Sequence, residues 1–451
     1  MTARDDLKAR AVEAIEGRKA ELISISQRIL ERPETGFKEQ RTAQLVTDFF
    51  RRMGVAHQEG LAITGVKGAL PGGGAGPTVA VLGELDALVV PDHPHADRET
   101  GAAHACGHHA QIGMLLGVVT GLLAKDVMAG LSGRVVPFAV PAEELIQLTG
   151  RLEMRQQGRL EFLGGKQELI RTGAFDDVDI AMMCHTTTGG SQRPFTVGGT
   201  SNDNVIKLVR YRGRSAHAGR APHLGINALN AATFAMNAIH FNREMFLDED
   251  TARSHGIITR GGDVPNAVPS DVQLEWRVRA GNSEAVDRYS AIADRCFKAG
   301  ALAVGAGVTI ENIPGYLPMR NDPTLQRLFV ESVEGLLGED TVRVVPPTQN
   351  PGGSTDMGDL SHIMPVIHPY VGGTVGSNHA NDYLVEDWEL AVVTAAKAMA
   401  CTVIDLLAEG AARAREVLSS ARTAMTKDEY LAFQRRRAAT IRFDGASSRG
   451  S

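Results

Sequence analysis

The sequence predicts an α/β protein whose larger domain has a mostly parallel sheet flanked by helices and carries an inserted α+β domain. Three observations lead there. The chain has 451 residues, more than a single hydrophobic core of about 250 to 300 residues can organise. Short apolar runs alternate with helical patterns on either side of the chain's middle, the texture of sheets built from βαβ units. Between Phe195 and Pro314 the order changes to βαββαβ, that of a small two-layer domain.

The elements follow in turn. Leu7, Ala11, Ile15, Leu22, Ile25 and Ile29 recur at helical spacing up to Pro33, and a second helix from Glu39 to Met53 closes at Gly54. A strand at Thr78–Leu82, a helix at Gly107–Leu123, a strand at Arg134–Val140, a helix at Met154–Ile170 and a strand at Asp179–Cys184 continue the alternation. The inserted domain reads as strand Val205–Arg210, helix Asn227–Phe241, strands Gly256–Arg260 and Val272–Val278, helix Ser283–Ala299 and strand Val308–Ile313. Helices at Thr324–Leu337 and Trp388–Leu407 return to the first pattern, and a polar tail from Thr426 reads as a short helix with a frayed end. The expected division is 1–195 and 315–425 for the larger domain, 196–314 for the insertion and 426–451 for the tail.

Composition narrows the function. Apolar residues at 43% and charged residues at 22% exclude wholesale disorder. With 47 basic against 53 acidic residues there is no global field to hold a polyanion, so no nucleic-acid partner is expected. The scattered cysteines Cys106, Cys184, Cys296 and Cys401 suit a reducing, cytoplasmic setting better than a disulfide scaffold. Charges throughout the first turns argue against a signal peptide. Gly113, Gly117 and Gly121 interrupt the apolar run Ala110–Ala124, which is shorter than the ~18 residues a bilayer requires, so no membrane span is expected.

The densest metal-competent cluster is His104-Ala105-Cys106-Gly107-His108-His109, opening a helix. A thiolate and an imidazole two residues apart suit zinc, with manganese or cobalt less favoured by sulfur; the plain alternative is a buried free cysteine beside solvated histidines. The strand before Pro141 runs into Glu143-Glu144, adjacent acids that point apart, so one can ligate an ion while the other faces a water. His185 ends another apolar strand, at the edge where open α/β sheets bind ligands. Glycine-dense stretches around Gly353-Ser354-Thr355-Asp356 and before His379 permit close backbone approach.

Taken in order, Gly83-Glu84-Leu85-Asp86-Ala87-Leu88, His104-Ala105-Cys106-Gly107-His108, Pro141-Ala142-Glu143-Glu144, His185, Ser215-Ala216-His217-Ala218, Gly353-Ser354-Thr355-Asp356 and His379 resemble the dinuclear zinc aminoacylase and carboxypeptidase superfamily. The nearest branch is that of the aminobenzoyl-glutamate and indole-acetyl-amino-acid hydrolases, and the resemblance runs from Leu7 to Leu407. It implies two divalent ions, zinc first and manganese or cobalt as alternatives, on Cys106, His108, Glu144, His185 and His379. It makes Glu143 the general acid/base, Asp86 the acid that orients the site, and His217 an oxyanion donor reaching from a partner subunit across a homodimer formed by the inserted domain. Asn266 and Arg279 match positions that hold a substrate carboxylate, with Arg279 preferred over Arg277. Glu84 stands where other branches have a ligand histidine, His109 where this branch has Asp or Asn, and residues 89–103, with His93 and His95, are an insertion. The implied activity is hydrolysis of the amide bond of an N-acyl or N-aroyl amino acid or a dipeptide-like conjugate, a small-molecule substrate. A cysteine hydrolase using Cys106 as nucleophile and a non-catalytic binding protein on the same fold are the alternatives.

Overall fold

The computed structural model describes residues 3–188 and 193–446. It divides into two compact units, Met1–Gly199 with Arg320–Gln349 and Asp359–Thr426, and Thr200–Met319 with Asn350–Gly358 and Lys427–Ser451.

The first unit holds a six-stranded sheet in the order Ala56–Leu61, Gly65–Pro71, Ser132–Val140, Gly74–Glu84, Ile180–Met182, Val366–Ile367. The last four are parallel to one another, and the first two form an antiparallel hairpin at one edge. Central strands buried on both faces read as continuous apolar runs, as in Val79–Leu82 and Val135–Val140. The helix His108–Leu122 is buried along its whole length. A Cβ on Gly113 would overlap Ser26, one on Gly117 would meet Ala396 and one on Gly121 would meet Ile15. The three glycines, four residues apart on one helix face, therefore admit the neighbouring helices Lys19–Leu30, Ala395–Leu407 and Ala3–Gly17 at close range.

A second sheet in this unit joins Val342–Val345, Phe195–Gly198, Tyr370–Val375 and Leu384–Val385, with His185–Thr188 parallel to Tyr370–Val375. The stretch Glu389–Leu407 is long and apolar enough to cross a membrane by composition, yet it is packed as a core helix against Ala3–Gly17, His108–Leu122 and Pro323–Leu337.

Several elements differ from expectation. The first helical run is two helices, Ala3–Gly17 and Lys19–Leu30, because Arg18 leaves helical geometry after Gly17. The helix expected at Met154–Ile170 is also two, Leu148–Gln156 and Gly165–Arg171, parted at Gly158, whose φ of 73° ends a helix. Trp388–Leu407 opens with a π-helical stretch, Glu389–Thr394.

The second unit is a five-stranded antiparallel sheet, in the order Arg253–Arg260, Asp271–Ala280, Asp203–Arg212, Gly307–Pro314, Thr440–Asp444. The helices Ala228–Phe241 and Ser283–Val304 cover one face around Trp276, Tyr289 and Phe297. Period-two burial along Asp271–Ala280 turns Val272, Leu274, Trp276 and Val278 to the helices and Glu275, Arg277 and Arg279 away from them. In the tail Lys427–Arg437 is the expected short helix and Thr440–Asp444 adds a fifth strand that was not expected, while the Gly/Ser-rich end, 447–451, lies outside the described residues. Arg437 fastens it through Asp203, 2.7 Å away and fully buried. Residues 350–358 also belong here and not with the larger domain, since Asn202 donates its amide N–H to Gly353 O and accepts from Asn350 and, at its carbonyl, from Ser354.

Candidate metal and hydrolytic centre

Three neighbouring parallel strands end at the same edge of the first sheet and deliver the chemistry. Gly74–Glu84 leads to Glu84 and Asp86, Ser132–Val140 to Glu143 and Glu144, and Ile180–Met182 to His185. Cys106 and His108 come from the start of the helix His108–Leu122, and His379 from the loop between Tyr370–Val375 and Leu384–Val385. Gly107 has a φ of 93°, and a Cβ there would overlap the hydroxyls of Thr186 and Tyr383, so glycine is required between the two ligand candidates.

The ligand atoms of Cys106, His108 and His185 lie within 4.8 Å of one another, as do those of Cys106, Glu144 and His379. Cys106 belongs to both sets. A third set, Glu84, His108 and Glu143, adjoins them. The structure thus gathers all five residues expected as ligands, with Glu143 beside them.

The donor chemistry fits cations. His108 Nδ1 donates to the Asp86 carbonyl at 2.8 Å and His185 Nδ1 to the Thr186 carbonyl at 2.7 Å, which leaves both Nε2 atoms facing inward. Each inward nitrogen meets an acidic group: His108 Nε2 is 3.1 Å from Glu84, His185 Nε2 3.4 Å from Cys106 Sγ, and His379 Nε2 3.2 Å from Glu144. Burial opposes charge on all of these groups, but the opposed partners win. His108 is held well above the usual imidazole range by Glu84 and Cys106, His185 is raised by Cys106, and His379 is pushed up to about 10 by Cys106 and Glu144. The Cys106 thiol, which burial alone would raise, is brought down to about 5 by His185 and His108.

Asp86 holds the acidic pair. Its two carboxylate oxygens accept the backbone amides of Glu143 at 3.2 Å and Glu144 at 2.9 Å, which sets the directions of the two side chains. Ala142, just before them, has a φ of 51°, and its amide donates to Glu39 at 2.8 Å. Burial, with help from Asp86, raises the Glu39 carboxyl to about 7. Lys166, at 0% exposure, donates to Glu84 at 2.6 Å, and Gln111 donates to the other oxygen of Glu84 at 2.8 Å. Arg151 ties down the Glu144 carbonyl at 2.6 Å.

Sequence reasoning missed Glu39, Gln111, Arg151, Lys166, Thr186 and Tyr383. Only the Gly164-Gly165 pair before Lys166 offered a signal, since a Cβ on Gly165 would overlap the Pro141 carbonyl. His104 and His109 are buried, 5.2 Å apart ring to ring, and held neutral, chiefly by burial, His109 down to about 3. His109 packs edge-on against Trp388 and belongs to none of the three sets. Cys184 is a core thiol raised by burial.

His217, Asn266 and Arg279 lie in the second unit. His217 bridges Ala267, and the Ala218 amide donates to Asn266 O at 2.9 Å, so His217 and Asn266 are neighbours. His217 Nδ1 accepts the amides of Gly219 and Arg220, which places the ring proton on Nε2. Arg279 stands in register between Asn204 and Arg253, on the sheet face away from the helices.

The profile of peptidase family M20/M25/M40 matches residues 80–404. The chain belongs to this family. The Xaa-Arg dipeptidase of Mus musculus is 30% identical over 423 residues, 89% of each chain. One of the subunits of the p-aminobenzoyl-glutamate hydrolase of Escherichia coli is 28% identical over 295 residues, 59% of this chain and 52% of its own. Among solved structures, a dinuclear metal binding peptidase of Bacillus subtilis superposes with a TM-score of 0.64 over 87% of this chain and 99% of its own, at 20% identity, and shares the fold. This chain is accordingly a metal-dependent amide hydrolase of the metallopeptidase kind. Neither alternative from the sequence is favoured: Cys106 is shared between two metal-competent sets, unlike the thiolate of a simple Cys–His pair, and an acid stands beside them.

Proposed function

We propose that this family member is a dinuclear hydrolase that cleaves a dipeptide or N-acyl amino acid bearing a free carboxylate. The observation that carries the reading is the pair of ligand sets meeting at Cys106, with Glu143 close to His108. One ion would be held by Cys106, His108 and His185, the other by Cys106, Glu144 and His379. Zinc is the first choice for a site with a shared thiolate, with manganese or cobalt as alternatives. Bound there, such ions would supply polarisation of the amide carbonyl and a more acidic water.

The chain's own residues do the rest. Glu143, whose backbone is fixed by Asp86, takes a proton from the attacking water and returns it to the leaving amine. His217 offers an Nε2 proton to the developing oxyanion. Arg279 and Asn266 take the substrate carboxylate, as a guanidinium can in bidentate fashion. The match to an Xaa-Arg dipeptidase over 89% of the chain makes dipeptides with a basic second residue the first to screen.

The edge strand Arg253–Arg260 of the second unit supports a homodimer through that unit. It leaves Ile257 63% exposed, and Phe241, ending the helix Ala228–Phe241, is 75% exposed. An open edge beside apolar side chains suits a second copy of the same strand. The four cysteines, all free thiols, suit the cytoplasm.

Glu143→Gln is expected to cut turnover about 10²- to 10⁴-fold while the protein still binds two ions; near wild-type turnover would overturn the assignment. Mixing Glu143→Gln with His217→Ala chains under subunit exchange is expected to restore part of the activity. No recovery, with exchange confirmed, would mean that His217 does not act across the dimer.

A further inference from the structure

Four of the five ligand candidates are buried, and packing sets their direction. His379 is the exception. Its side chain is 55% exposed, it sits on a loop, and its φ of 68° is in the left-handed region that residues other than glycine adopt uncommonly. Part of what holds its loop is found in residues 89–103.

That segment is a self-braced loop. Leu88–Val89 pairs with Ala102–Ala103, and Asp97 Oδ1 accepts the amides of Glu99 and Thr100 and the Thr100 hydroxyl. From this base two side chains reach across 289 and 290 residues of sequence to the loop that bears His379. Asp92 accepts the Asn381 side-chain amide at 2.7 Å. His93 is buried; its Nδ1 accepts the His95 amide, so the proton lies on Nε2, which donates to the Tyr383 carbonyl at 2.8 Å. The His379 amide itself donates to Ala105 O, one residue before Cys106.

We infer that residues 89–103 are a brace, with Asp92 and His93 as positioning residues that aim His379 at Cys106 and Glu144. The inference rests on the two-ion reading above. Groups that orient a ligand typically govern affinity by about tenfold or more when removed. The brace should therefore act on one ion and not on the other.

The test is a zinc titration against a competing chelator on the full-length protein, with the melting temperature of the metal-free form measured alongside. His93→Ala and Asp92→Ala are each expected to weaken one of two zinc ions about tenfold and leave the other near wild type. His93→Gln, which keeps a donor for the Tyr383 carbonyl, should recover most of the loss. In a His379→Ala background, His93→Ala should add nothing, because the aimed ligand is already gone. Unchanged affinities in both single variants would overturn the brace, as would an equal weakening of both ions together with a lowered metal-free melting temperature. A wild-type protein that binds fewer than two zinc ions would overturn the two-ion reading itself.

Discussion

In the first unit the reactive groups, His379 excepted, are buried, opposed in charge and fastened by backbone amides, whereas in the second His217 and Asn266 are exposed at the ends of paired segments and Arg279 is half-buried on a sheet face. The first arrangement determines protonation before any substrate arrives: Cys106 is ionised near neutrality because the histidines outweigh its burial. The second determines only direction, as when two amides fix the tautomer of His217. A buried, charge-balanced site loses stability when one member is removed. A site of exposed groups loses affinity or rate and keeps its fold.

The sharpest way to break that contrast is Lys166→Met. It removes the lysine partner of the buried Glu84 carboxylate, and a broken buried pair costs about 3–5 kcal/mol. Denaturant unfolding should show that loss, and adding Glu84→Gln should recover much of it. A Lys166→Met protein as stable as wild type would mean that the charge balance of the first unit does not govern its fold.

Arg279→Met tests the other side. A charge-assisted contact with carboxylate is worth about 1.5–3 kcal/mol, so kcat/KM for free-carboxylate substrates should fall about ten- to a hundredfold with no change in melting temperature. Matched substrates with an amidated carboxylate should be nearly unaffected. Equal losses on both would assign Arg279 to the fold.

Glu39→Gln gives the smallest effect and the clearest sign. The Glu39 carboxyl is raised from 4.5 to about 7, first by burial and then by Asp86. Between those values the folded state holds a proton that the unfolded state has released, so this group's contribution to stability falls as pH rises from 4.5 through 7. A neutral glutamine can still accept the Ala142 amide while the Thr64 hydroxyl reverses its role. The metal-free variant should therefore gain about 1–3 kcal/mol on wild type at about pH 8, and the gain should vanish below about pH 4.5. A gain independent of pH would remove ionisation of Glu39 as its source.

The ligand candidates were legible in the sequence because each is tied to a local signal: a strand end, a helix start or a glycine-dense turn. The groups that hold them were not. Glu39 lies 103 residues from Ala142, and Lys166 82 residues from Glu84. Nothing local to a lysine between a glycine pair and Gln167-Glu168 tells that its partner will be a carboxylate on a different strand. The same holds for the tail, where the sequence reads as a short helix but does not show that Arg437 will find Asp203 or that Thr440–Asp444 will add to the open edge of Gly307–Pro314.

What the sequence by itself determined is the periodic part: the alternation of strand and helix, the βαββαβ insertion and the residue types able to bind metal, all of which follow from side-chain spacing along one element. The tertiary structure alone decided that Cys106 would serve two ligand sets, that Glu84 would be held by Lys166, and that residues 89–103 would grip the loop of His379. Those outcomes depend on distances between elements far apart in the chain. Local spacing carries no information about such distances until the sheet has brought its strand ends together.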